Sequence, residues 1–477
     1  MKRFDWRSLV VSSMMIGAVA AKAETRPQYG GTLHVMTRAA PTSLDPADVY
    51  SASLNSANLN SANLNSTNLA QPDSFARRGL TVLMFDTLVT VNENLRIQPS
   101  LATSWQASVG NRWQLRIRSG VKFHDGTPLS ADIVAASLRA ANPAWNVSTA
   151  ADSVVVTRDG SDPELLGELA LPRNAILKRN GSSLPTGTGP FYIVDWQPGK
   201  KLAVAAEENC WRGRPFLDAI EIEMGKTFRE QMTAMDLSKA DLVEVAAEQT
   251  HQISREGRHL SNSMPIELLA LLFTRDVASP EEKLLREALA LSVERESIRS
   301  VLLQGAGQPA ASILPNWMSG YGFVFPTAAD LPRARHAREQ VHTIPTWSLG
   351  YDSSDPMARL VAERIALNAK DAGLSLQPTA TAATDLKLVR IPLASPDPWI
   401  ALANVAALAG VPLGKDAGSV EDLYESEQTL LTTQRIVPLF HLPVFYAAST
   451  TLNHWALRPD GSWNLADAWL GSANHVQ

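Results

Sequence analysis

The sequence has very little cysteine and no long hydrophobic run. Cys210 is the single cysteine in 477 residues, so the chain can form no intramolecular disulfide. The apolar stretch at residues 9–20 is about a dozen residues long, too short to span a bilayer. Charged residues make up 19% of the chain and the formal net charge is -5. This composition disfavours a membrane domain, a fibre and a nucleic-acid-binding protein.

Motifs for catalysis and metal binding are missing as well. The chain has no Gly-x-Ser-x-Gly elbow, no His-Glu-x-x-His pair and no Walker loop. Its 9 histidines are scattered, without the close pairs that first-row metals prefer. His124 and Asp125 are adjacent, but the string FHDGTP is typical of a tight turn, because Asp-Gly suits a backbone reversal. We therefore expect no catalytic centre, no metal site and no cofactor.

The first 23 residues have the pattern of a secretory signal peptide. Lys2, Arg3 and Arg7 form a basic region, residues 9–20 are apolar, and Ala21-Lys22-Ala23 has the small-x-small form of a cleavage site. No cysteine follows the apolar stretch, so a lipid anchor is not expected. The pattern predicts cleavage after Ala23 and a mature chain in the periplasm.

Residues 51–70 repeat a five-residue unit as SASLN, SANLN, SANLN and STNLA. A single coil of a pentapeptide solenoid would have no neighbouring coil on which to stack its apolar side. We therefore interpret this segment as a low-complexity insertion in a loop.

The length and the hydrophobic periodicity predict a multi-lobed α/β protein. A chain of 477 residues exceeds what one hydrophobic core usually supports, so two or three lobes are expected. Apolar residues alternate at residues 32–36, 113–117 and 220–224, which predicts half-buried strands.

Helix signals are clearest at two places. Ser279, Pro280 and Glu282 predict a helix start with a capping box. A second helix is predicted at residues 356–372, where Gly373 would end it and a strand would follow at residues 374–377.

Seven short strings along the chain then carry a family resemblance. They are DTLV at 86–89, PSLATSW at 99–105, GVKFHDGTPL at 120–129, GTGPF at 187–191, NCWRGRPFLD at 209–218, LREAL at 285–289 and GAGQPA at 305–310. In this order and at these separations, the chain resembles the family 5 solute-binding proteins, which are the peptide- and nickel-binding components of ABC importers.

The resemblance implies a two-lobed periplasmic binding protein fold of type II with an extra subdomain on the first lobe. The core of lobe I would comprise residues 24–74, 181–262 and 448–477, and the subdomain residues 75–180. Lobe II would comprise residues 263–447.

The resemblance also implies a ligand cleft between the lobes and suggests residues that border it. Ser43 begins the SLDP string at 43–46, after which the chain would pass the mouth of the cleft. Trp145, Trp317 and Trp399 lie near expected cleft segments, and aromatic walls suit varied ligands. We expect these four residues to contact ligand, or the tryptophans to pack the core instead.

Charge at the cleft is where the sequence departs from the peptide binders of the family. Those proteins carry, just before an acidic-Pro dipeptide, a carboxylate that pairs with the ammonium group of the ligand. Here the dipeptide is Asp397-Pro398, and Ala394 stands at the place of that carboxylate. Asp397 could substitute or could fix the turn, and Arg390 could pair with a ligand carboxylate or be an exposed strand residue.

The implied function is capture of a short peptide or similar small solute for delivery to an ABC permease, by a monomer that is not an enzyme. A nickel chelate or other non-peptide solute is the alternative cargo. A hydrolase and a periplasmic sensor or chaperone on the same scaffold are alternatives of other classes.

Overall fold

The computed structural model describes residues 26–47, 75–92, 96–108, 112–157, 165–179, 181, 184–256, 258–353, 355–381, 383–393, 398–413, 419–458 and 461–471. The predicted signal peptide, the pentad repeat at residues 51–70, Ala394 and Asp397 lie outside these residues.

The described residues alternate between strands and helices. The strands, in chain order, are β1 (Thr32–Met36), β2 (Val89–Val91), β3 (Ile97–Pro99), β4 (Ala102–Ser108), β5 (Arg112–Ile117), β6 (Asn146–Ala150), β7 (Ser153–Thr157), β8 (Phe191–Gln197), β9 (Lys201–Ala206), β10 (Ala219–Glu223), β11 (Leu242–Val245), β12 (His259–Asn262), β13 (Glu267–Phe273), β14 (Gln308–Pro309), β15 (Thr346–Gly350), β16 (Ser375–Thr379), β17 (Leu386–Pro392), β18 (Ile436–Leu442), β19 (Phe445–Ala448), β20 (Leu452–Asn453), β21 (Ala456–Leu457), β22 (Trp463–Asn464) and β23 (Trp469–Leu470). The α-helices are α1 (Phe75–Met84), α2 (Ala131–Ala141), α3 (Leu165–Leu169), α4 (Phe228–Asp236), α5 (Thr250–Arg255), α6 (Pro280–Ser292), α7 (Arg295–Val301), α8 (Asn316–Ser319), α9 (Leu331–Glu339), α10 (Pro356–Asp371), α11 (Pro398–Ala409) and α12 (Val420–Thr432).

A seven-stranded sheet forms the first large unit, in the order β12-β19-β11-β1-β10-β9-β8. Strand β1 lies between β10 and β11 and is parallel to both. Its alternate residues Leu33 and Val35 are buried in one core with Leu80 and Leu83 of α1. The predicted strand at residues 32–36 is therefore confirmed, because its period of two places those side chains on the covered face.

A six-stranded sheet forms the second unit, in the order β14-β18-β13-β17-β15-β16. Its central strand β13 is apolar almost throughout because both faces of the sheet are covered. Leu269 and Leu271 face one core, and Leu268 and Leu272 face another on the opposite side.

A further core belongs to the four-stranded antiparallel sheet β4-β5-β7-β6. Helix α2 packs on it, with Val134 and Leu138 fully buried. Ser130 caps that helix by accepting a hydrogen bond from the Ile133 amide. The described residues thus form five separate hydrophobic clusters, in line with the length of the chain.

Within the described residues, the chain crosses between the two large sheets twice. Residues 263–266 join β12 to β13, and residues 443–444 join β18 to β19. The first crossing lies next to the lobe boundary predicted at 262 and 263, which stays a prediction. The second lies a few residues before the predicted boundary at 447, because β19 is hydrogen-bonded to β11 and β12.

Helix α6 begins as the sequence predicts, but its capping box is incomplete. The Ser279 hydroxyl accepts a hydrogen bond from the Glu282 amide at 3.1 Å. The Glu282 carboxylate does not return to Ser279; it accepts hydrogen bonds from the Ala278 amide at 3.0 Å and from Arg286 at 2.6 Å. The Glu282 carboxylate therefore binds the buried guanidinium of Arg286 instead of the Ser279 backbone amide that a capping box requires.

Helix α10 also matches its prediction in position, ending just before Gly373, whose φ is +79°. Ile365 is fully buried, as an amphipathic pattern requires. Leu360 and Leu367 are 44% and 55% exposed, so they lie on the outer face of the helix. In the part of the chain that the structure describes, no helix is both long enough and apolar enough to cross a membrane.

Candidate ligand cleft

A cavity of about 380 Å³ lies between the edges of the two large sheets. Its walls come from both sheets and from the crossover at Pro443 and Val444. A second cavity, beside the Asp86–Arg212 ion pair, has a volume of about 80 Å³. The larger cavity is the candidate ligand site because a small solute needs a space of several hundred Å³.

The first wall is built by the carboxyl ends of three parallel strands. Arg38 follows β1, Lys226 to Phe228 follow β10, and Glu244 to Ala247 end β11. Ligands in open α/β sheets bind beyond the carboxyl ends of the strands, since the chain leaves the sheet there and exposes backbone and side chains.

The second wall comes from the facing edge of the six-stranded sheet. Glu267 begins β13, Arg390 lies near the end of β17, and Asp355 starts α10. The antiparallel register of β13 and β17 places Glu267 opposite Pro392, so the amino end of one strand and the carboxyl end of the other share this edge.

Arg390 is the centre of a charge network in the second wall. Its guanidinium donates to Glu267 Oε2 at 3.0 Å and to Asp355 Oδ2 at 3.2 Å. The other Asp355 oxygen accepts hydrogen bonds from the amides of Met357 and Ala358 and so caps α10. The network fixes three charged side chains at the cavity wall.

One ion pair spans the cavity from wall to wall. Arg38 of the first wall lies 3.8 Å from the Asp352 carboxylate of the second. The Arg38 guanidinium also lies over the ring of Phe228, 4.4 Å from its centroid. The two walls therefore meet through partly exposed charges as well as through the crossovers.

Glu244, on β11, contributes a carboxylate to the first wall. One of its oxygens accepts a hydrogen bond from the Arg38 amide at 3.0 Å. Burial raises the pKa of the Glu244 carboxyl, and the nearby Glu267 adds to the rise, while Arg38 opposes it.

Arg390 is the one predicted site residue, among those the structure describes, that lines this cavity. Trp145 packs against the core of the four-stranded sheet, and Trp399 is buried in a core of the six-stranded sheet. The Trp317 indole donates to the Pro265 carbonyl at 2.8 Å and so contacts the first crossover. Ser43 accepts a hydrogen bond from the Asp45 amide at 3.1 Å.

The FHDGTP string and Cys210 both have structural roles. The backbone reverses at Gly126, whose φ is +81°, and Asp125 accepts a hydrogen bond from the Thr127 amide at 3.0 Å. The Cys210 thiol is buried, and burial raises its pKa, so the reactive thiolate form is disfavoured. No group of three or more potential ligands among the described residues could hold a metal ion.

Most of the charged cavity residues are not predicted from the sequence. Arg38 and Glu244 sit at the carboxyl ends of buried strands, and a polar residue at such a place is the signal that could have found them. Glu267 and Asp355 gave no comparable signal, since their role depends on contacts with Arg390 across 123 and 35 residues of sequence.

The two lobes, the subdomain and the cleft between them define a two-lobed periplasmic binding protein fold of type II. The model for bacterial extracellular solute-binding proteins, family 5 middle, matches residues 96–398, and the chain belongs to this family.

Curated relatives are similar at low identity. The nickel-binding protein NikA of Staphylococcus aureus is 24% identical over 250 residues, covering 48% of this chain and 49% of that protein. The oligopeptide-binding protein AppA of Bacillus subtilis is 24% identical over 345 residues, covering 66% of this chain and 58% of that protein. The match thus spans only about half to three fifths of the length of these relatives.

Solved structures share the fold over nearly the whole chain. A dipeptide-binding protein of Pseudoalteromonas sp. SM9913 in complex with Met-Leu has a TM-score of 0.75 at 16% identity, covering 92% of this chain and 100% of that one. AgaA of A. tumefacien R10 in complex with agropinic acid has a TM-score of 0.72 at 17% identity, covering 94% and 100%. At these identities the likeness establishes the fold and not the ligand.

Proposed function

We propose that the mature chain is a periplasmic, monomeric protein that captures a short peptide or similar small solute between its two lobes and delivers it to an ABC-type permease. The observation that carries this proposal is the cavity of about 380 Å³, lined by charged and apolar residues of both large sheets. Membership of the solute-binding family supports it.

The mechanism would be closure of the two lobes around the solute. The walls of the cavity belong to different sheets, which are joined by the crossovers at residues 263–266 and 443–444. A solute that contacts both walls favours the closed arrangement by its difference in affinity for the two states. We propose that the permease recognises this closed form and that the protein releases its cargo chemically unchanged.

The cavity wall suits a solute with both charged and apolar groups. Leu269, Leu303 and Leu388 contribute apolar surface beside the charged groups. Burial of apolar surface would supply much of the affinity, and the charges would fix orientation. The charges of Arg38, Glu244, Glu267 and Arg390 distinguish this cavity from a purely hydrophobic one.

The first test is native mass spectrometry of the mature protein purified gently from its own periplasm, which detects a co-purified solute. A thermal-shift screen would follow, with dipeptides, tripeptides, the nickel complex of L-histidine and agropinic acid. Binding stabilises the folded protein by mass action, about 2.7 kcal/mol at one hundred times the dissociation constant. We expect at least one peptide to raise the melting temperature.

A cleft variant separates cavity binding from binding elsewhere. Arg390→Met should weaken binding of the solute found in the screen. The change removes a positive charge from the cavity and leaves Glu267 and Asp355 without the guanidinium that binds them. Arg116→Met is the matched control, since Arg116 is exposed and pairs with Asp152 on the four-stranded sheet. A hit confined to the nickel complex would assign the alternative cargo, and a flat screen with a clean apo mass would contradict capture of these solutes.

A further inference from the structure

Glu244 is held in an unusual position for a carboxylate. It lies near the end of the interior strand β11, opposite Tyr446 of β19, and its neighbours Val243 and Val245 are buried. The side chain forms part of the cavity wall. A polar residue in a buried strand normally requires a partner that compensates for its loss of water.

The nearby cations are directed elsewhere. The Arg38 guanidinium lies over Phe228 and reaches Asp352, so it acts on Glu244 through space and not as an ion-pair partner. Glu244 accepts hydrogen bonds from the Arg38 backbone amide and from the Gln231 side chain. Lys226 pairs with Glu223 at 2.9 Å. Within the described ranges of the chain, Glu244 therefore has no ion pair.

The other cavity carboxylates differ from Glu244 in this respect. Glu267 and Asp355 both bind the guanidinium of Arg390, and Asp352 approaches Arg38. Glu267 also acts on Glu244 as a like charge. Glu244 is thus a carboxylate of the cavity wall that has no ion pair among the described residues, and its charged form is costly there unless a bound cation offsets the cost.

We infer that Glu244 binds a cationic group of the solute, an ammonium or a guanidinium, and so determines specificity for cationic solutes. This inference rests on the proposed capture of a small solute in the cavity. The ligand cation would donate hydrogen bonds to the Glu244 carboxylate, and these charge-assisted bonds are about twice as strong as neutral ones.

Matched probe pairs test the inference by isothermal titration calorimetry. One pair is L-arginyl-L-alanine and L-citrullyl-L-alanine, which differ in a single charge at nearly constant shape. The other pair is L-alanyl-L-alanine and its N-acetyl derivative. Each pair is measured with the wild type, Glu244→Gln and the control Glu221→Gln, in which a partly exposed carboxylate outside the cavity, paired with Lys201, is neutralised.

We expect the wild type to prefer the charged member of at least one pair, and Glu244→Gln to reduce that preference about tenfold or more, as loss of a hydrogen bond to a charged group implies. Glu221→Gln should retain the preference. Should Glu244→Gln not fold, Glu244→Asp is used; the shortened carboxylate should weaken the charged member about tenfold and spare the neutral one.

The other outcomes would contradict either the role of Glu244 or the proposed capture of a solute. An unchanged preference in Glu244→Gln, or an equal loss for both members of a pair, would show that Glu244 has only a structural role. Binding of the neutral members alone would also overturn the inference and leave solute capture standing. Failure of all four probes together with the solutes of the broader screen would contradict the proposed function itself.

Discussion

At the scale of single residues, the cavity combines paired charges with one unpaired carboxylate. Arg390 neutralises Glu267 and Asp355 at distances of 3.0 and 3.2 Å. Glu244 has a hydrogen bond from a backbone amide but no ion pair within the described residues. Burial of an unpaired carboxylate lowers the folding stability of the protein. A bound cation offsets this cost, so such a site favours ligand recognition over stability.

The stability cost of burying Glu244 gives a prediction for Glu244→Gln. Because the pKa of Glu244 is raised in the folded protein, the folded state holds the proton more tightly than the unfolded chain. Stability therefore falls as the pH rises through the raised pKa. The glutamine variant avoids that loss, so it should raise the free energy of unfolding at pH 7.5 by about 1 kcal/mol, with the gain vanishing in acid.

Urea denaturation between pH 4.5 and 8 measures this difference. Glu221→Gln is the control with the opposite sign. Its hydrogen bond with Lys201 lowers the pKa of Glu221, so the stabilisation is present above the ordinary pKa and lost in acid. The Glu221–Lys201 pair is partly exposed, so its loss should cost only a few tenths of a kcal/mol. A clear destabilisation by Glu244→Gln at pH 7.5 would contradict the prediction.

At the scale of the elements, residues in the short family strings stabilise contacts between segments that are distant in sequence. In the LREAL string, Arg286 is fully buried on α6. Its guanidinium binds Glu282 at 2.6 Å and the Gln434 carbonyl at 3.2 Å, and it lies 3.9 Å from the ring centroid of Phe273. The residue therefore joins the helix to the central strand of the six-stranded sheet and to the start of β18.

We expect Arg286→Ala to lower the free energy of unfolding by about 3–5 kcal/mol, because the change leaves Glu282 and several carbonyls without their buried donor. Urea denaturation followed by circular dichroism measures it. Arg299→Ala is the control, since Arg299 is partly exposed and pairs with Glu296 on one helix; its loss should cost less than about 1 kcal/mol. Equal effects of the two substitutions would contradict this account.

In the GTGPF string, a glycine is required because no side chain fits at Gly187. Gly187 lies against the end of α1, and a Cβ atom there would overlap the Met84 carbonyl oxygen. Gly187→Ala should therefore force the backbone apart and cost more than about 2 kcal/mol. Gly120→Ala is the control, because its added Cβ meets no atom within 4 Å and costs only the strain of a φ of +81°, about 1 kcal/mol. Melting temperatures of the two variants compare these costs, and a Gly187 variant no less stable than the control would refute the overlap.

At the scale of the whole molecule, the two lobes meet through two crossovers and the Arg38–Asp352 ion pair. The pair is partly exposed and its atoms are 3.8 Å apart, so it should favour the closed arrangement by less than about 1 kcal/mol. Asp352→Asn should thus shift the protein slightly towards an open form, and salt should reduce the difference from the wild type.

Small-angle X-ray scattering at low and high salt measures this shift as an increase in the radius of gyration. Asp152→Asn removes the same charge from a pair within the four-stranded sheet and should leave the radius unchanged. An identical radius for the wild type and Asp352→Asn at low salt would show that the crossovers and the packing alone set the arrangement of the lobes.

The sequence alone sufficed for the features that depend on neighbours along the chain. The strand at residues 32–36, the Ser279 cap and the helix before Gly373 follow from periodicity and capping within a few residues. The family strings indicated the type II fold, because many short matches in order constrain topology more than any one of them.

Only the tertiary structure decided which charges meet in the cleft. Arg390, Glu267 and Asp355 are brought together by strand register and helix placement, and Arg38 approaches Asp352 from another sheet. Such contacts join residues 35 to more than 300 positions apart, and no local pattern records them. Local backbone preferences therefore determined the elements, whereas the packing of distant segments determined the site.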